Sequence, residues 1–406
     1  LFKDFKYIIP GGSVMSGCGT GALVSLSNCF VIGSPKDSYA EIMKTRSQQA
    51  QLMKRRGGVG YDLSQLRPRG AKVNNAAKSS TGAASFMDVC SDITNEVAQN
   101  GRRGALMLSM SINHPDIEEF ITKKQDLTKV TGANISVKVT DEFMQAVEND
   151  KDYILRFPVD ESVPQGLMIE EMPYNELWFF SDDDHPNSFF KKVRARELWD
   201  TLMHCAWNTA EPGIMFEGAM HNYSPDGVYP DFKMVGTNPC GEIPMGPFDS
   251  CRLIHINLSS YIVDPFTDKA HIDEELLYMH SYEAMRLADD LVDLEIEAVD
   301  RIINTVKNDT DDTEFKLWSK IKETAIQGRR AGLGFTGLAD AIAMLGLKYD
   351  SDEGISQVGQ LMKVMFKGQL DSNIDMAIER GSFPAWDSVV EAESNSDWLK
   401  FIRSNY

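Results

Sequence analysis

Two continuous and mainly apolar runs in the first half of the chain constrain its fold more than any other feature. They are ALMLSMS, from Ala105, and ANISVKV, over residues 133–139. Such runs are typical of strands that are buried on both faces, as in parallel sheets. GGVGYDL, at 57–63, is predicted to be a turn into a further short strand. Around these strands, apolar spacing predicts helices over residues 38–56, 84–100, 141–149, 195–208, 273–304 and 315–328. Strands that alternate with helices favour an α/β fold in which most strands are parallel.

Composition excludes several classes of protein. The 406 residues carry a formal net charge of -19, whereas a protein that coats a polynucleotide needs clustered Lys and Arg. No apolar run of ~18 residues is present, and the first residues lack the pattern of a secretory signal. The six cysteines form no CxxC pair, which argues against structural zinc and a disulfide scaffold. We therefore expect a cytoplasmic protein that binds no membrane, metal or polymeric nucleic acid, and we expect the chain to be part of something longer.

The segment GTNPCGEIP, from Gly236, carries three chemically useful side chains close together and is called the cysteine loop below. Its proline removes a backbone donor and its second glycine frees the backbone, so a loop is predicted. Asn238, Cys240 and Glu242 lie at alternate positions, and in an extended loop alternate side chains point the same way. They would offer one ligand an orienting amide, a redox-active or nucleophilic sulfur and a base. The alternative is a solvated turn whose polar residues are incidental.

The cysteine loop resembles the finger loop of ribonucleotide reductases, whose large subunits carry an Asn-x-Cys-x-Glu motif at the centre of a barrel. The resemblance implies an α/β fold, namely part of the family's ten-stranded barrel with a central finger loop. It implies that Cys240 holds a transient thiyl radical, which takes the hydrogen from C3′ of the ribose. Glu242 would then be the base on the 3′-hydroxyl, and Asn238 would hydrogen-bond the same hydroxyl.

Two further cysteines lie where this family has its reducing pair. Cys29, in SLSNCFVIG, is near the start of the first barrel strand, and Cys251, in DSCRLIHINLSSY, follows the finger loop. The resemblance implies that this pair delivers two electrons and becomes a disulfide. The alternative for each is a buried structural thiol. Cys18, Cys90 and Cys205 match no family motif and are expected in the core.

Four segments resemble the family's nucleotide-binding regions. GGSVMSG resembles the loop near the substrate phosphate, and RPRGAKVNNAAKSSTGAASF resembles the first specificity loop. QNGRRGA resembles the second specificity loop, which transmits the identity of the bound effector to the site of the substrate base. The pair Asp37-Ser38 resembles the site for the deoxyribose of the effector. A solvated loop is the alternative for each basic residue of the first specificity loop. The residues expected to bind substrate or effector are Gly12, Ser13, Asp37, Ser38, Lys72, Gln99 and Arg103.

The resemblance implies an oxidoreductase that reduces ribonucleotides to 2′-deoxyribonucleotides, with the cysteine pair as reductant. NPCGEIP and NGRRGALM are more similar to the adenosylcobalamin-dependent class II than to class I, in which a di-metal partner subunit supplies the radical. Implied partners are a deoxynucleoside triphosphate or ATP effector, a thioredoxin- or glutaredoxin-like reductant and a second copy of the chain. The alternatives are a class I large subunit and a non-catalytic, nucleotide-binding half-enzyme.

The family pattern also predicts how the chain is organised. Residues 1–235 should form a first half-barrel with the effector loops, 236–257 the finger loop, and 258–406 the start of a second half-barrel. A later phosphate loop of the Pro-Thr-x-x-Ser type, a C-terminal cysteine pair and an N-terminal ATP-binding domain do not occur in the sequence. We therefore expect that the C-terminal part of the barrel is needed to complete the active site.

Overall fold

The computed structural model describes residues 2–97 and 104–406, and strands and helices alternate over much of this length. The strands are β1 (Ile8–Pro10), β2 (Cys29–Val31), β3 (Gly58–Asp62), β4 (Leu106–Ser111), β5 (Asn134–Val139), β6 (Asp152–Phe157), β7 (Leu177–Phe180), β8 (Ser188–Arg194), β9 (Gly213–Phe216), β10 (Gly236–Thr237), β11 (Pro244–Met245), β12 (Ser250–Cys251), β13 (Leu253–Asn257), β14 (Ile262–Val263), β15 (His271–Ile272) and β16 (Gly332–Thr336).

The helices are α1 (Gly12–Gly17), α2 (Tyr39–Met53), α3 (Met87–Glu96), α4 (Ile117–Thr122), α5 (Asp141–Glu148), α6 (Ala195–Thr209), α7 (Glu217–Tyr223), α8 (Glu274–Val306), α9 (Thr313–Gly328), α10 (Leu338–Met344), α11 (Asp352–Arg380), α12 (Ser388–Glu393) and α13 (Asp397–Asn405). The predicted helices are confirmed as α2, α3, α5, α6, α8 and α9, with ends that differ by a few residues. The largest difference is at α3, which ends at Glu96, whereas the sequence predicted a helix to residue 100.

The chain divides into two compact units. Unit 1 comprises Leu1–Asn28, Asp249–Ser388 and Ile402–Tyr406, and unit 2 comprises Cys29–Phe248 and Val389–Phe401. Among the described residues, no helix combines the length and the apolar character that crossing a bilayer requires.

Unit 2 contains the predicted parallel sheet. Its strands follow the order β2, β3, β4, β5, β9, and each neighbouring pair is parallel. All residues of β3 and β4 are buried, as are five of the six in β5, which confirms the reading of these runs as buried strands. Parallel strands need long connections, and α3, α5 and α6 lie in the connections of this sheet.

A second sheet in unit 2 was not predicted. Strands β6, β8 and β7 pair in this order, and both pairs are antiparallel. A small apolar cluster lies beside this sheet, with Ile154, Met172 and Phe190 buried in it. The α/β class predicted mainly parallel strands, so this sheet is an addition to the predicted architecture.

Unit 1 is built around long helices and a short mixed sheet. β13 lies in the centre of this sheet, antiparallel to β1 and parallel to β16. Helix α8 runs for 33 residues and contributes Leu277, Ala284 and Leu291 to an apolar core that also contains Ile254 of β13. Glu295 of α8 is fully buried, and its carboxylate accepts from the Ser25 hydroxyl and the Leu26 amide.

Candidate active site

The cysteine loop folds into a tight hairpin. β10 pairs with β11 in antiparallel register, and the Asn238 amide donates to the Ile243 carbonyl at 3.3 Å. The Gly241 amide donates to the Asn238 carbonyl at 3.0 Å and completes a four-residue turn. Gly241 has a φ of 83°, which a glycine adopts without strain. The segment is therefore a loop, as predicted, but it is not extended.

The hairpin separates the three side chains that the sequence places at alternate positions. Asn238 is fully buried, whereas Cys240 and Glu242 are exposed at the tip. The Asn238 side chain accepts from the Ile243 amide at 2.9 Å and donates to the Cys29 sulfur at 3.4 Å. The assumption of an extended backbone is wrong for this loop, and the convergence of the three side chains on one ligand remains a prediction.

Cys240 and Glu242 influence each other electrostatically at the tip. Partial burial raises the pKa of the Cys240 thiol, and the negative charge of Glu242 raises it further. Cys240 therefore keeps its proton at neutral pH. A protonated thiol is the form from which a hydrogen atom can be removed to leave a sulfur radical.

The cysteine loop lies close against the parallel sheet of unit 2. A β-carbon at Gly60 of β3 would lie only 1.8 Å from the Thr237 carbonyl oxygen, so only glycine allows this approach. Asn134 of β5 donates from its side-chain amide to the Pro239 carbonyl at 2.9 Å. Gly60 and Asn134 were not predicted as site residues from the sequence. A glycine inside an apolar strand was the available signal for the first, because such a glycine often marks close approach of another backbone.

The two cysteines of the predicted reducing pair are both buried thiols. Cys29 begins β2 in unit 2, and Cys251 ends β12 in unit 1. A β-carbon at Gly332 would lie 2.5 Å from the Cys251 sulfur, so β16 approaches this thiol closely. Their pairing remains a prediction. Of the other cysteines, Cys90 and Cys205 are buried as predicted, and the prediction is wrong for Cys18, which is exposed.

Part of the predicted effector site is brought together in unit 2. Arg67 donates to the Asp37 carboxylate from its backbone amide at 3.1 Å and from Nε at 2.6 Å. Arg67 also donates to the Lys72 carbonyl at 2.6 Å, so the predicted first specificity loop is attached to Asp37. Ser38 is the N-cap of α2 and accepts from the Glu41 amide at 3.3 Å. The predicted residues Gln99 and Arg103 lie outside the described residues.

The predicted phosphate loop has a different local structure. Gly12 and Ser13 begin the six-residue helix α1, so the expectation of a glycine-rich loop is wrong. The Ser13 amide donates to the Asn28 side chain at 2.9 Å and is therefore already used. In the part of the chain that the structure describes, no group of three or more His, Cys, Asp or Glu side chains is arranged to hold a metal ion.

Comparison with known proteins identifies the family to which this chain belongs. Residues 27–404 match the family model of the ribonucleotide reductase barrel domain. The chain therefore belongs to the ribonucleotide reductase barrel domain family, and the predicted fold class is confirmed. This is the family that the cysteine loop indicated from the sequence.

Individual relatives give a more detailed comparison. The chain is 34% identical over 385 residues to a vitamin B12-dependent ribonucleoside-diphosphate reductase of Thermoplasma acidophilum, covering 93% of the chain and 43% of that protein. It is 30% identical over 388 residues to the protein of the same name from Mycobacterium tuberculosis, covering 95% of the chain and 48% of that protein. The chain thus spans less than half the length of these relatives.

A solved structure shares the fold. The alpha subunit of the Actinobacillus ureae class Id ribonucleotide reductase matches with a TM-score of 0.68 and 18% sequence identity. The match covers 94% of this chain and 59% of that subunit. At this identity the likeness concerns the fold alone.

Proposed function

We propose that this chain forms the radical-bearing part of the catalytic barrel of a ribonucleotide reductase. The observation that carries the proposal is the Cys240 thiol at the hairpin tip, with Glu242 beside it and the buried Asn238 below it. The substrate is a ribonucleoside diphosphate, in keeping with the names of the two relatives at 34% and 30% identity. The product is the corresponding 2′-deoxyribonucleotide.

The reaction uses each residue type for one task. The Cys240 sulfur radical takes the hydrogen atom from C3′, while Glu242 accepts the proton of the 3′-hydroxyl. The 2′-hydroxyl leaves as water with a proton from the thiol pair, Cys29 and Cys251. The pair supplies two electrons and becomes a disulfide, and Cys240 returns its hydrogen to C3′. Overall, one ribonucleotide and two thiols give one deoxyribonucleotide, one water and one disulfide.

The position of Asn238 suggests how this residue takes part. Its amide holds the turn through Ile243 and contacts Cys29, so it connects the radical cysteine with one member of the reducing pair. Since Asn238 Nδ2 carries two hydrogens, donation to Cys29 leaves one for the 3′-hydroxyl. We assign it the orientation of that hydroxyl.

Adenosylcobalamin is the proposed source of the radical. When bound, this cofactor would supply the radical that removes the hydrogen atom from the Cys240 thiol. Cys240 fits this chemistry, because its side chain is exposed and its raised pKa preserves the S–H bond at neutral pH. The alternative is a class I large subunit, in which a di-metal partner subunit supplies the radical.

Other partners follow from the same assignment. A deoxynucleoside triphosphate or ATP is proposed to bind at Asp37, Ser38 and Lys72, and Gln99 and Arg103 are proposed to transmit its identity to the substrate site. A thioredoxin- or glutaredoxin-like protein of the cytoplasm would reduce the disulfide again, and the enzyme would act as a homodimer. We propose that residues 1–235 form the first half-barrel, 236–257 the finger loop and 258–406 the start of the second half-barrel. The C-terminal part of the barrel would then complete the active site.

Two measurements on the complete protein test this proposal. The protein, supplied with adenosylcobalamin and a dithiol but no second subunit, should convert ribonucleoside diphosphates into deoxyribonucleotides. After one turnover without external dithiol, peptide mass spectrometry should detect a Cys29–Cys251 disulfide. A Cys18→Ser variant is the matched control and should form the same disulfide. Activity that requires a metal-containing second subunit would favour class I, and product without this disulfide would remove the proposed reductant.

A further inference from the structure

One face of the parallel sheet in unit 2 is unexpectedly polar. Gly60 of β3 and Asn134 of β5 contact the cysteine loop, so both mark the face on which the loop lies. Alternate residues of a strand share a face, and residues paired in register lie side by side on it. By this rule and the observed register, the loop's face also carries Asp62, Met107, Ser109, Ser136 and Lys138. Strands that are buried on both faces are normally apolar, so the four polar side chains among these five need an explanation.

A buried ion pair network occupies the carboxyl ends of these strands. Lys138 Nζ lies 3.2 Å from Asp62 Oδ2 and 3.4 Å from Glu217 Oε1, where Glu217 is the first residue of α7. Only 8% of Lys138 and 3% of Asp62 are exposed. Burial alone would lower the pKa of Lys138, but the two carboxylates outweigh burial and raise it. Lys138 is therefore a permanent buried cation.

Asp62 connects Lys138 with residues that lie beside the cysteine loop. Its Oδ2 also accepts from the Ser109 hydroxyl at 2.8 Å, and its Oδ1 accepts from the Ser64 amide at 2.9 Å. Ser109 Oγ lies 3.6 Å from the point where a β-carbon of Gly236 would be, which is ordinary contact distance. Gly236 is the first residue of β10 and hence the base of the cysteine loop.

The energetics favour a positioning role over a stabilising one. Taking a lysine and two carboxylates out of water costs free energy, and apolar residues of similar volume often stabilise a fold at least as well. A fixed charged network does, however, impose distances and directions that an apolar contact does not. In α/β barrels, the carboxyl ends of the strands are also the usual location of functional groups.

We propose that Lys138 is a positioning residue for Cys240. Lys138 pairs with Asp62, Asp62 accepts the hydrogen bond of Ser109, and Ser109 lies beside Gly236 at the base of the cysteine loop, so that these residues fix the place in which the hairpin presents its tip. The inference rests on the proposed function for the role of Cys240. It assigns no contact between Lys138 and the substrate.

The Lys138→Met variant of the complete protein tests this chain of contacts. We expect kcat to fall on the order of 100-fold with KM changed little, because a small displacement of a reacting group has an effect of that size. In the same protein without substrate, iodoacetamide should alkylate Cys240 at a rate at least about threefold different from wild type, as expected when local order changes. Lys138→Arg keeps the charge and should restore much of both properties.

Arg156→Met is the matched control. The side chain of Arg156 is as buried as that of Lys138, at 10% exposure each, and it also pairs with a carboxylate, but it belongs to the separate antiparallel sheet. This control should leave kcat and the Cys240 alkylation rate within about twofold of wild type. If Lys138→Met gives the same two values as Arg156→Met, the proposal is wrong.

A second variant covers the case in which Lys138→Met does not fold. Ser109→Ala removes only the hydroxyl between Asp62 and Gly236, and it should alter the same two quantities in the same direction. Unchanged values in Ser109→Ala would equally overturn the proposal. A wild-type protein that makes no deoxyribonucleotide would instead contradict the proposed function. The alkylation rates would still test whether Lys138 positions Cys240.

Discussion

The side-chain amide of Asn238 donates a hydrogen bond to the sulfur of Cys29, 3.4 Å away. These residues are 209 positions apart in the sequence, and each was assigned to the site for a different reason. Their contact connects the hairpin that carries Cys240 with the first strand of the parallel sheet. A substitution at Asn238 would therefore affect the stability of the fold as well as the proposed reaction.

Asn238→Ala should lower the free energy of unfolding by about 1–3 kcal/mol, because the partly buried amide of Ile243 loses its acceptor. Urea denaturation of the purified protein measures this difference. Asn75→Ala is the control, since the Asn75 side chain also accepts from a backbone amide but is exposed to water. An Asn238→Ala variant as stable as the Asn75→Ala variant would show that the buried contacts of Asn238 contribute nothing.

Gly60→Ala should displace the cysteine loop, because the new β-carbon would lie 1.8 Å from the Thr237 carbonyl oxygen. Backbone atoms cannot rotate away as a side chain does, so we expect a loss of about 3 kcal/mol or more in the free energy of unfolding. Calorimetry can compare it with Gly166→Ala, where the added carbon would meet open space. Equal melting temperatures of the two variants would contradict the close contact between Gly60 and the cysteine loop.

Glu242→Gln should lower the pKa of the Cys240 thiol. Burial is the larger cause of the raised pKa and remains in the variant, but the repulsion from the Glu242 carboxylate is removed. A lower pKa means more thiolate at a fixed pH of about 8, and thiolate is the form that reacts with iodoacetamide. Peptide-resolved alkylation rates between about pH 7 and 10 measure the shift. A higher pKa in the variant would mean that Glu242 does not act on Cys240 through its charge.

The network around Lys138 predicts a specific acid response. Burial would raise the pKa of Glu217, but the nearby His221 imidazole and the charge of Lys138 outweigh it and lower the pKa from 4.5 to about 2. A lowered pKa stabilises the fold above pH 4.5, and this contribution disappears as the pH falls from 4.5 towards 2.

Glu217→Gln removes that contribution at neutral pH. Wild type should exceed the variant in unfolding free energy by at most about 3 kcal/mol at pH 7, and the difference should shrink below pH 4.5. Urea midpoints of both proteins between about pH 3 and 7 measure this trend. A difference that stays constant over this range would exclude the ionised Glu217 as its source.

Local sequence patterns predicted the strands and helices whose own apolar residues form a regular buried pattern. ALMLSMS became β4 and ANISVKV became β5, because continuous apolar runs can only be satisfied inside a sheet. Helix α11 was not predicted, since its apolar residues are spread around the helix rather than gathered on one stripe. Helix α1 was missed because it is rich in glycine, a poor helix former, and is held partly by the contact of Ser13 with Asn28.

The sequence predicted which residues form the candidate site, but it did not predict how the hairpin arranges them. The motif indicated Asn238, Cys240 and Glu242, yet alternate spacing could not reveal the turn that buries one of them and exposes the others. The contacts of Lys138 with Asp62 and Glu217 join three distant parts of the sequence, so no local pattern contains them. The only available signal was a charged residue near the end of an apolar strand.

Formation of deoxyribonucleotide by the Cys240→Ser variant of the complete protein is the most direct test of this account. The serine O–H bond is too strong for the hydrogen transfer, while the hairpin and the nucleotide contacts are kept. We predict that product formation falls below detection and that nucleotide binding, measured by calorimetry, stays within about threefold of wild type. Deoxyribonucleotide formation by this variant at a substantial fraction of the wild-type rate would contradict the assignment of the radical to Cys240.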